Sequence, residues 1–364
     1  MHIDTSAFAQ TYAQARSQFL QAASRRGLTV ESHAHTLRGF DGEDLAVDVA
    51  LDGPADAKSL LLISSACHGV EGFCGSGVQV ALLREPAWSA ACADAGVAVL
   101  YVHALNPHGF SHWRRVTHEG VDLNRNFVDF SQGLPPNSGY DELADAVVPA
   151  TWPPPPQAEA RIAAFAAEHG PRVLQAAVSG GQYHHPGGLF YGGSAPTWSH
   201  SRLRDVLRNH AQRCARLAWI DLHTGLGPRG VGERIYAGRN DSNDIARARA
   251  WWGQGLTSIY DGSSSSALLQ VLMCNSAYQE CTQAEYTGMA LEYGTYPLTE
   301  MVGALRADHW RAAHPDADPA LRAQIRQATR DMFYIDTEEW KARILEQAWQ
   351  TGLDALAGLA GRQK

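Results

Sequence analysis

The chain has 364 residues, 45% of them hydrophobic and 19% charged, with a formal net charge of −8 and a pI near 6.0. This is the composition of an ordinary soluble α/β protein with room for a large core. The absence of a basic footprint argues against nucleic acid and anionic membranes as partners. The opening Met1-His2-Ile3-Asp4-Thr5 has no basic region followed by an apolar stretch, and no run approaches the roughly 18 apolar residues of a membrane span, so the sequence reads as cytoplasmic. The six cysteines (67, 74, 92, 214, 274, 281) are scattered without a C-x-x-C, which predicts reduced packing thiols.

An amphipathic helix is expected over 6–26, where Phe8, Tyr12, Ala15, Phe19 and Ala22 recur at helical spacing before Gly27. Strands follow near 30–38 and 44–51, joined by the hairpin signal Gly39-Phe40-Asp41-Gly42. Leu60–Ser65 and Val97–His103 read as buried strands, with a helix from Gly75 to Leu83 between them and a loop at Asn106-Pro107-His108-Gly109. Residues 128–157 shift to Gly, Pro, Ser and Asn and predict a surface excursion or lid. Beyond it the pattern gives a helix at 157–169, a strand at 172–179, a helix near 198–214 and strands at 216–222 and 233–237. A helix at 241–256, strands near 267–274 and 287–293, and terminal helices at 299–312, 319–332 and 337–358 complete the chain. The alternation predicts a single α/β sandwich spanning 1–364, with a largely parallel sheet and a site at the carboxyl ends of its strands.

Chemistry concentrates where apolar runs end. His68 and Glu71 lie three positions apart on the first turn after Leu60-Leu61-Leu62-Ile63, so an imidazole and a carboxylate can face one point, a pairing that suits zinc. His223, at the end of Trp219-Ile220-Asp221-Leu222-His223, is the third ligand candidate, and Asp221, two residues earlier on the same strand face, could orient a ligand histidine. Glu292 sits inside the apolar run Met289-Ala290-Leu291-Glu292-Tyr293, where a carboxylate must be paired or functional; beside an activated water it could serve as general base. In Asp122-Leu123-Asn124-Arg125-Asn126-Phe127 a guanidinium, Arg125, stands between the amides of Asn124 and Asn126, an arrangement suited to a developing oxyanion or a substrate carboxylate.

In this order, His68-x-x-Glu71, Asp122 to Phe127, Asp221-Leu222-His223 and Glu292 before Gly294 resemble the zinc carboxypeptidase and aspartoacylase superfamily. Gly69-Val70-Glu71-Gly72-Phe73 and Gly180-Gly181-Gln182-Tyr183-His184-His185-Pro186 are most similar to the branch called domain of unknown function 2817. The resemblance implies a three-layer sandwich, a mixed and mostly parallel twisted sheet with helices on both faces. It implies one Zn2+ per chain held by His68, Glu71 and His223, a water deprotonated by Glu292, and Arg125 polarising the scissile carbonyl. Classical carboxypeptidases carry an arginine between the first histidine and glutamate. Here that interval is Gly69-Val70, nearer the aspartoacylase-like pattern.

Tyr183 and His184 are further candidates for contact with substrate. Arg114, Arg115, Arg234 and Arg239 are candidate anion clamps, of which Arg234 is retained as a substrate-binding residue. His103, His108, His112 and His118 crowd one segment, but their spacings match no single face. Gly225-x-Gly227-x-x-Gly230 lacks the following helix that a dinucleotide site requires, and neither Gly-x-Ser-x-Gly nor His-Glu-x-x-His occurs. Cys67 is set aside because neighbouring strand side chains point to opposite faces. Three readings stand: a zinc peptidase, a zinc amidohydrolase of N-acyl amino acids, and a non-catalytic relative. The expected partner is a small-molecule or peptide substrate; the terminal helices could pack on their own body or on a second subunit.

Overall fold

Leu60, Leu61, Leu62 and Ile63 are all buried, the signature of a strand covered on both faces. The computed structural model describes residues 3–269 and 271–361. Its strands are β1 (Val30–Arg38), β2 (Asp44–Asp52), β3 (Ser59–Ser64), β4 (Ala98–His103), β5 (Arg216–Gly225), β6 (Gly232–Tyr236), β7 (Thr257–Ser258) and β8 (Glu285–Gly294). The helices are α1 (Tyr12–Arg25), α2 (Gly72–Arg84), α3 (Pro86–Ala95), α4 (Pro107–His112), α5 (Ser138–Val147), α6 (Pro156–His169), α7 (Pro171–Ser179), α8 (Trp198–Val206), α9 (Ser242–Trp252), α10 (Ser276–Glu280), α11 (Leu298–Ala313), α12 (Pro319–Phe333) and α13 (Glu338–Leu359).

The strands form one sheet in the order β1-β2-β4-β3-β5-β8-β6-β7. The centre, β4-β3-β5-β8, is parallel, whereas β1 and β2 at one side, and β6 against β8 at the other, add antiparallel pairs. Alternation along β3 sorts the core into layers. Leu61 and Ile63 pack with residues of α1, α2, α9 and α13, while Leu60 and Leu62 pack on the other face with residues of α8 and α10. The sheet is therefore covered on both faces, as the sequence predicts. All six cysteines are buried and free, and among the described residues no helix is long and apolar enough to cross a membrane.

Four local expectations are corrected. Residues 172–179 form helix α7, not a strand: Leu174, Ala177 and Val178 follow helical spacing and Pro171 occupies the first turn, where its missing N–H costs nothing. The stretch 267–274 contributes no strand among its described residues, Gln270 lying outside them; Met273–Asn275 forms a 3-10 turn, and the strand beside β6 is β7, earlier in the chain. The expected loop at 106–109 opens α4, capped by the Asn106 side chain accepting from Gly109 N. The excursion 128–157 carries α5, whose Tyr140, Leu143 and Val147 join a separate apolar cluster with α7 and α11. Helix α3, which the sequence reading lacks, begins at Pro86 under a Glu85 cap.

The turn after β3 is fixed by a close backbone approach. An added Cβ at Gly69 would lie 2.1 Å from the carbonyl carbon of Gly109, so α4 can press against this turn only because residue 69 is glycine. The contact lets Gly69 N donate to Arg115 O and Val70 N to Arg114 O. Gly69→Ala is expected to cost about 1–3 kcal/mol, seen as a lower urea midpoint with an unchanged m value. A wild-type midpoint would mean that α4 yields at no cost.

Candidate metal centre and substrate cavity

β3 ends at Ser64, and the chain passes through Ser65, Ala66 and Cys67 into a 3-10 turn, Gly69–Glu71, with His68 as its N-cap. Residues three apart eclipse one another on a 3-10 turn, so the His68 and Glu71 side chains project together. His68 Nδ1 lies 2.9 Å from Glu71 Oε1. From the neighbouring strand β5, His223 Nδ1 comes to 3.0 Å from Glu71 Oε2 and 3.3 Å from His68 Nδ1. One donor atom from each of the three residues fits within a 4.8 Å span, and all three residues are buried.

Each imidazole also meets a carboxylate at its outer nitrogen. His223 Nε2 is 2.6 Å from Asp221 Oδ2, and His68 Nε2 is 3.3 Å from Asp122 Oδ1. Arg115 joins the group through contacts to His68 Nε2 (2.7 Å), Glu71 Oε1 (3.2 Å) and Asp122 Oδ2 (2.9 Å). A guanidinium only donates, so at His68 the imidazole nitrogen accepts. Burial alone would raise the Glu71 pKa, but the two imidazoles outweigh it and hold the carboxyl below its usual range. Burial opposes charge on His223 as well, and Asp221 and Glu71 overcome it, raising the imidazole well above its ordinary value. The Asp122 carboxyl, likewise buried, is held well below the carboxylate range by Arg115 and His68.

Glu292 on β8 is in register with His223, so both side chains leave the same face of the sheet. Its Oε1 accepts from Leu226 N at 2.9 Å, and a Cβ at Gly225, where φ is +146°, would crowd that oxygen at 3.3 Å. Burial, reinforced by the Glu71 charge, pushes the Glu292 carboxyl up to about 7. These residues open into a cavity of about 420 Å³ that Asn124 and Arg125 also line. Beyond them the wall turns apolar, with Leu174, Val178, Ile259, Leu272 and Met301 among its residues.

Of the other predicted site residues, Asn124 and Arg125 reach the cavity and four do not. The Arg125 guanidinium donates to Ser179 O and Asn124 O and makes no ion pair among the described residues; burial lowers its pKa. The Asn126 amide is consumed by Gly192 O, Ala195 O and Thr197 N, which makes it a brace for the loop. Tyr183 donates its hydroxyl to Arg125 O and supports that backbone from behind. His184, with 55% of its side chain exposed, pairs with Asp141 at the surface. Arg234 is in register with Leu291, the neighbour of Glu292, and so leaves the opposite face of the sheet, where it donates to Trp252 O.

Sequence reasoning named Arg115 only as one of four candidate anion clamps, without retaining it at the site, and gave Asp122 no role. The available signal was that Asp122 opens the motif that contains Arg125. Arg114, by contrast, turns away to Asp308, and Arg239 to Asp244. Cys67 does come near: with Asp221 and His223 it forms the second donor triad within 4.8 Å. Burial and the Asp221 charge raise its thiol pKa well above the ordinary value, which keeps it protonated and a poor ligand. His108, His112 and His118 gather with His35, but these two triads are the ones that converge among the described residues, and neither includes them.

The Glu292 pKa carries a stability consequence. Because the folded value is raised, the group costs the metal-free protein nothing below about pH 4.5, where it is protonated folded and unfolded alike. Above about pH 7 the cost reaches about 3 kcal/mol. Glu292→Gln should therefore raise the Tm of the metal-free protein at about pH 8 and leave it unchanged near pH 4. An equal shift at both would contradict the raised value.

Comparison with known proteins gives the following. The family described as "Protein of unknown function (DUF2817)" matches residues 8–347. No curated protein matches. Among solved structures, carboxypeptidase A from Helicoverpa armigera is 13% identical with a TM-score of 0.46, covering 94% of this chain and 73% of its own. Bovine thrombin-activatable fibrinolysis inhibitor, solved in complex with tick carboxypeptidase inhibitor, is 12% identical with a TM-score of 0.46, covering 90% of this chain and 98% of its own. With a match running over most of its length, the chain belongs to the DUF2817 family.

Proposed function

We propose that this chain is a zinc-dependent hydrolase that cleaves an amide bond, most closely a metallocarboxypeptidase-like peptidase, with one Zn2+ held by His68, Glu71 and His223. The observation that carries this reading is the convergence of two imidazoles and a carboxylate within a 4.8 Å span, with Asp221 bonded to the outer nitrogen of His223. That donor set and outer shell fit a catalytic zinc, which takes three protein ligands and keeps one position open. A zinc ion bound there supplies a Lewis acid that polarises a carbonyl and acidifies water.

The remaining work falls to the chain. Glu292, in its ionised form, takes a proton from the attacking water and hands it to the leaving nitrogen. The two arginines divide the negative charge between them. Arg115, in contact with both His68 and Glu71, is the cation next to the reacting carbonyl and donates to the developing oxyanion. Arg125, a buried cation that donates to carbonyl oxygens and makes no ion pair among the described residues, anchors a substrate carboxylate bidentately. Asn124, whose Oδ1 accepts from Met273 N, steadies the loop beside it. The apolar wall receives a bulky apolar group on the same substrate. A carboxylate and an apolar group occur together in a peptide with an apolar C-terminal residue and in an N-acyl apolar amino acid. A cavity of about 420 Å³ is of the size that takes a small ligand, which makes the latter the second reading.

A panel of peptides, N-acyl amino acids and esters, assayed with and without chelator, tests the class. Hydrolysis lost to chelator and restored by zinc is expected, and chelator-resistant turnover would refute the proposal. Glu292→Gln should keep zinc and lose about 10²–10⁴ in kcat. Arg115→Ala should lower kcat, while Arg125→Ala should chiefly raise KM for carboxylate-bearing substrates. The reverse split would exchange the two roles. Since the base must be ionised, kcat/KM should fall with decreasing pH. The midpoint should lie at or below about 7, because a bound cation offsets the Glu71 charge that helps to raise Glu292.

A further inference from the structure

Behind His223 a line of hydrogen bonds continues along one face of β5. Trp219, Asp221 and His223 alternate on the same side of the strand, and Ser64, the last residue of β3, is in register with Asp221. Trp219 Nε1 lies 2.7 Å from Ser64 Oγ, Ser64 Oγ lies 2.5 Å from Asp221 Oδ1, and Asp221 Oδ2 lies 2.6 Å from His223 Nε2. Trp219, Ser64 and Asp221 are at most 1% exposed, so no solvent competes for these groups.

The proton directions follow from the chemistry of the two ends. An indole N–H can only donate, so the Ser64 oxygen accepts from Trp219 and its own proton is committed to Asp221 Oδ1. The carboxylate is thereby fixed in rotation with its second oxygen turned to His223 Nε2. A hydrogen on Nε2 is the one arrangement that satisfies that oxygen, so the proton that Nδ1 holds toward Glu71 in the metal-free chain is the one a metal ion would displace. We propose that Trp219 and Ser64 are positioning residues for the metal centre, fixing through Asp221 the tautomer and ring orientation in which His223 offers Nδ1 to the metal. This rests on the zinc reading above and extends it to two residues, remote from the cavity, that no ligand pattern marks.

The test is zinc affinity, measured by competition of the full-length protein with a chromophoric chelator at neutral pH, with urea unfolding of the metal-free protein as the control for folding. Ser64→Ala should weaken zinc binding by about 3- to 10-fold, less than the roughly 10- to 100-fold typical of residues bonded directly to a ligand. Trp219→Phe, which leaves the hydroxyl free to turn away from Asp221, should weaken it by a smaller factor and keeps the test open should Ser64→Ala fold poorly. Both losses should vanish in an Asp221→Asn background, because the two residues act through that carboxylate. Wild-type zinc affinity in both variants, or losses that persist undiminished beside Asp221→Asn, would overturn the inference while leaving the metal centre standing. A wild-type protein that binds no zinc would overturn the metal reading itself, and this inference with it.

Discussion

A carboxylate buried at Glu71 has to be neutralised where it stands. An unpaired charge in that environment costs several kcal/mol, and the fold meets the requirement by bringing four groups to two oxygens. His68 Nδ1 and Arg115 Nη1 reach Oε1, while His223 Nδ1 and Thr224 N reach Oε2. Three separate segments must arrive together for this: the turn after β3, the end of β5 and the loop after α4. The parallel pairing of β3 with β5 and the glycine contact between Gly69 and Gly109 are what deliver them.

The same constraint distributes charge over the rest of the site. With Glu71 ionised by its neighbours, the next carboxylate along, Glu292, feels both burial and a fixed negative charge, and its proton is held more tightly. Two acids a few residues from one another in space are thus driven to opposite behaviour, one a permanent anion and the other poised to exchange a proton near neutrality. On the far side Arg115 is absorbed into the ligand group by Asp122 and Glu71, whereas Arg125 pairs with no carboxylate among the described residues and stays available to an anion entering the cavity. The division of labour proposed for the two arginines comes from that asymmetry.

The buried strands, the helical periodicities of the terminal segments and the strand-end positions of His68, His223 and Glu292 were legible in the sequence, because burial on both faces writes continuous apolar runs and a turn of three residues writes its own geometry. Residues 172–179 were not, since a short apolar run suits a strand or a helix equally and only Pro171 tips the balance. Arg115 was one of four candidate anion clamps, and its place beside His68 and Glu71 was not legible because it depends on a backbone pairing between 69–70 and 114–115 that no local pattern encodes. Arg234 misled for the converse reason: one position of register decides the face of a sheet, and position alone does not fix register. Ser64 and Trp219 look like ordinary strand residues until β3 is laid beside β5.

The donor geometry around His223 offers a bound ion two partner sets, His68 with Glu71 on one side and Cys67 with Asp221 on the other. X-ray absorption at the zinc edge, on protein loaded with one equivalent of zinc, separates them directly. A shell of nitrogen and oxygen scatterers at about 2.0–2.1 Å, carrying the outer-shell signature of two imidazoles, is the predicted result. A sulfur scatterer at about 2.3 Å, or a single imidazole, would contradict it.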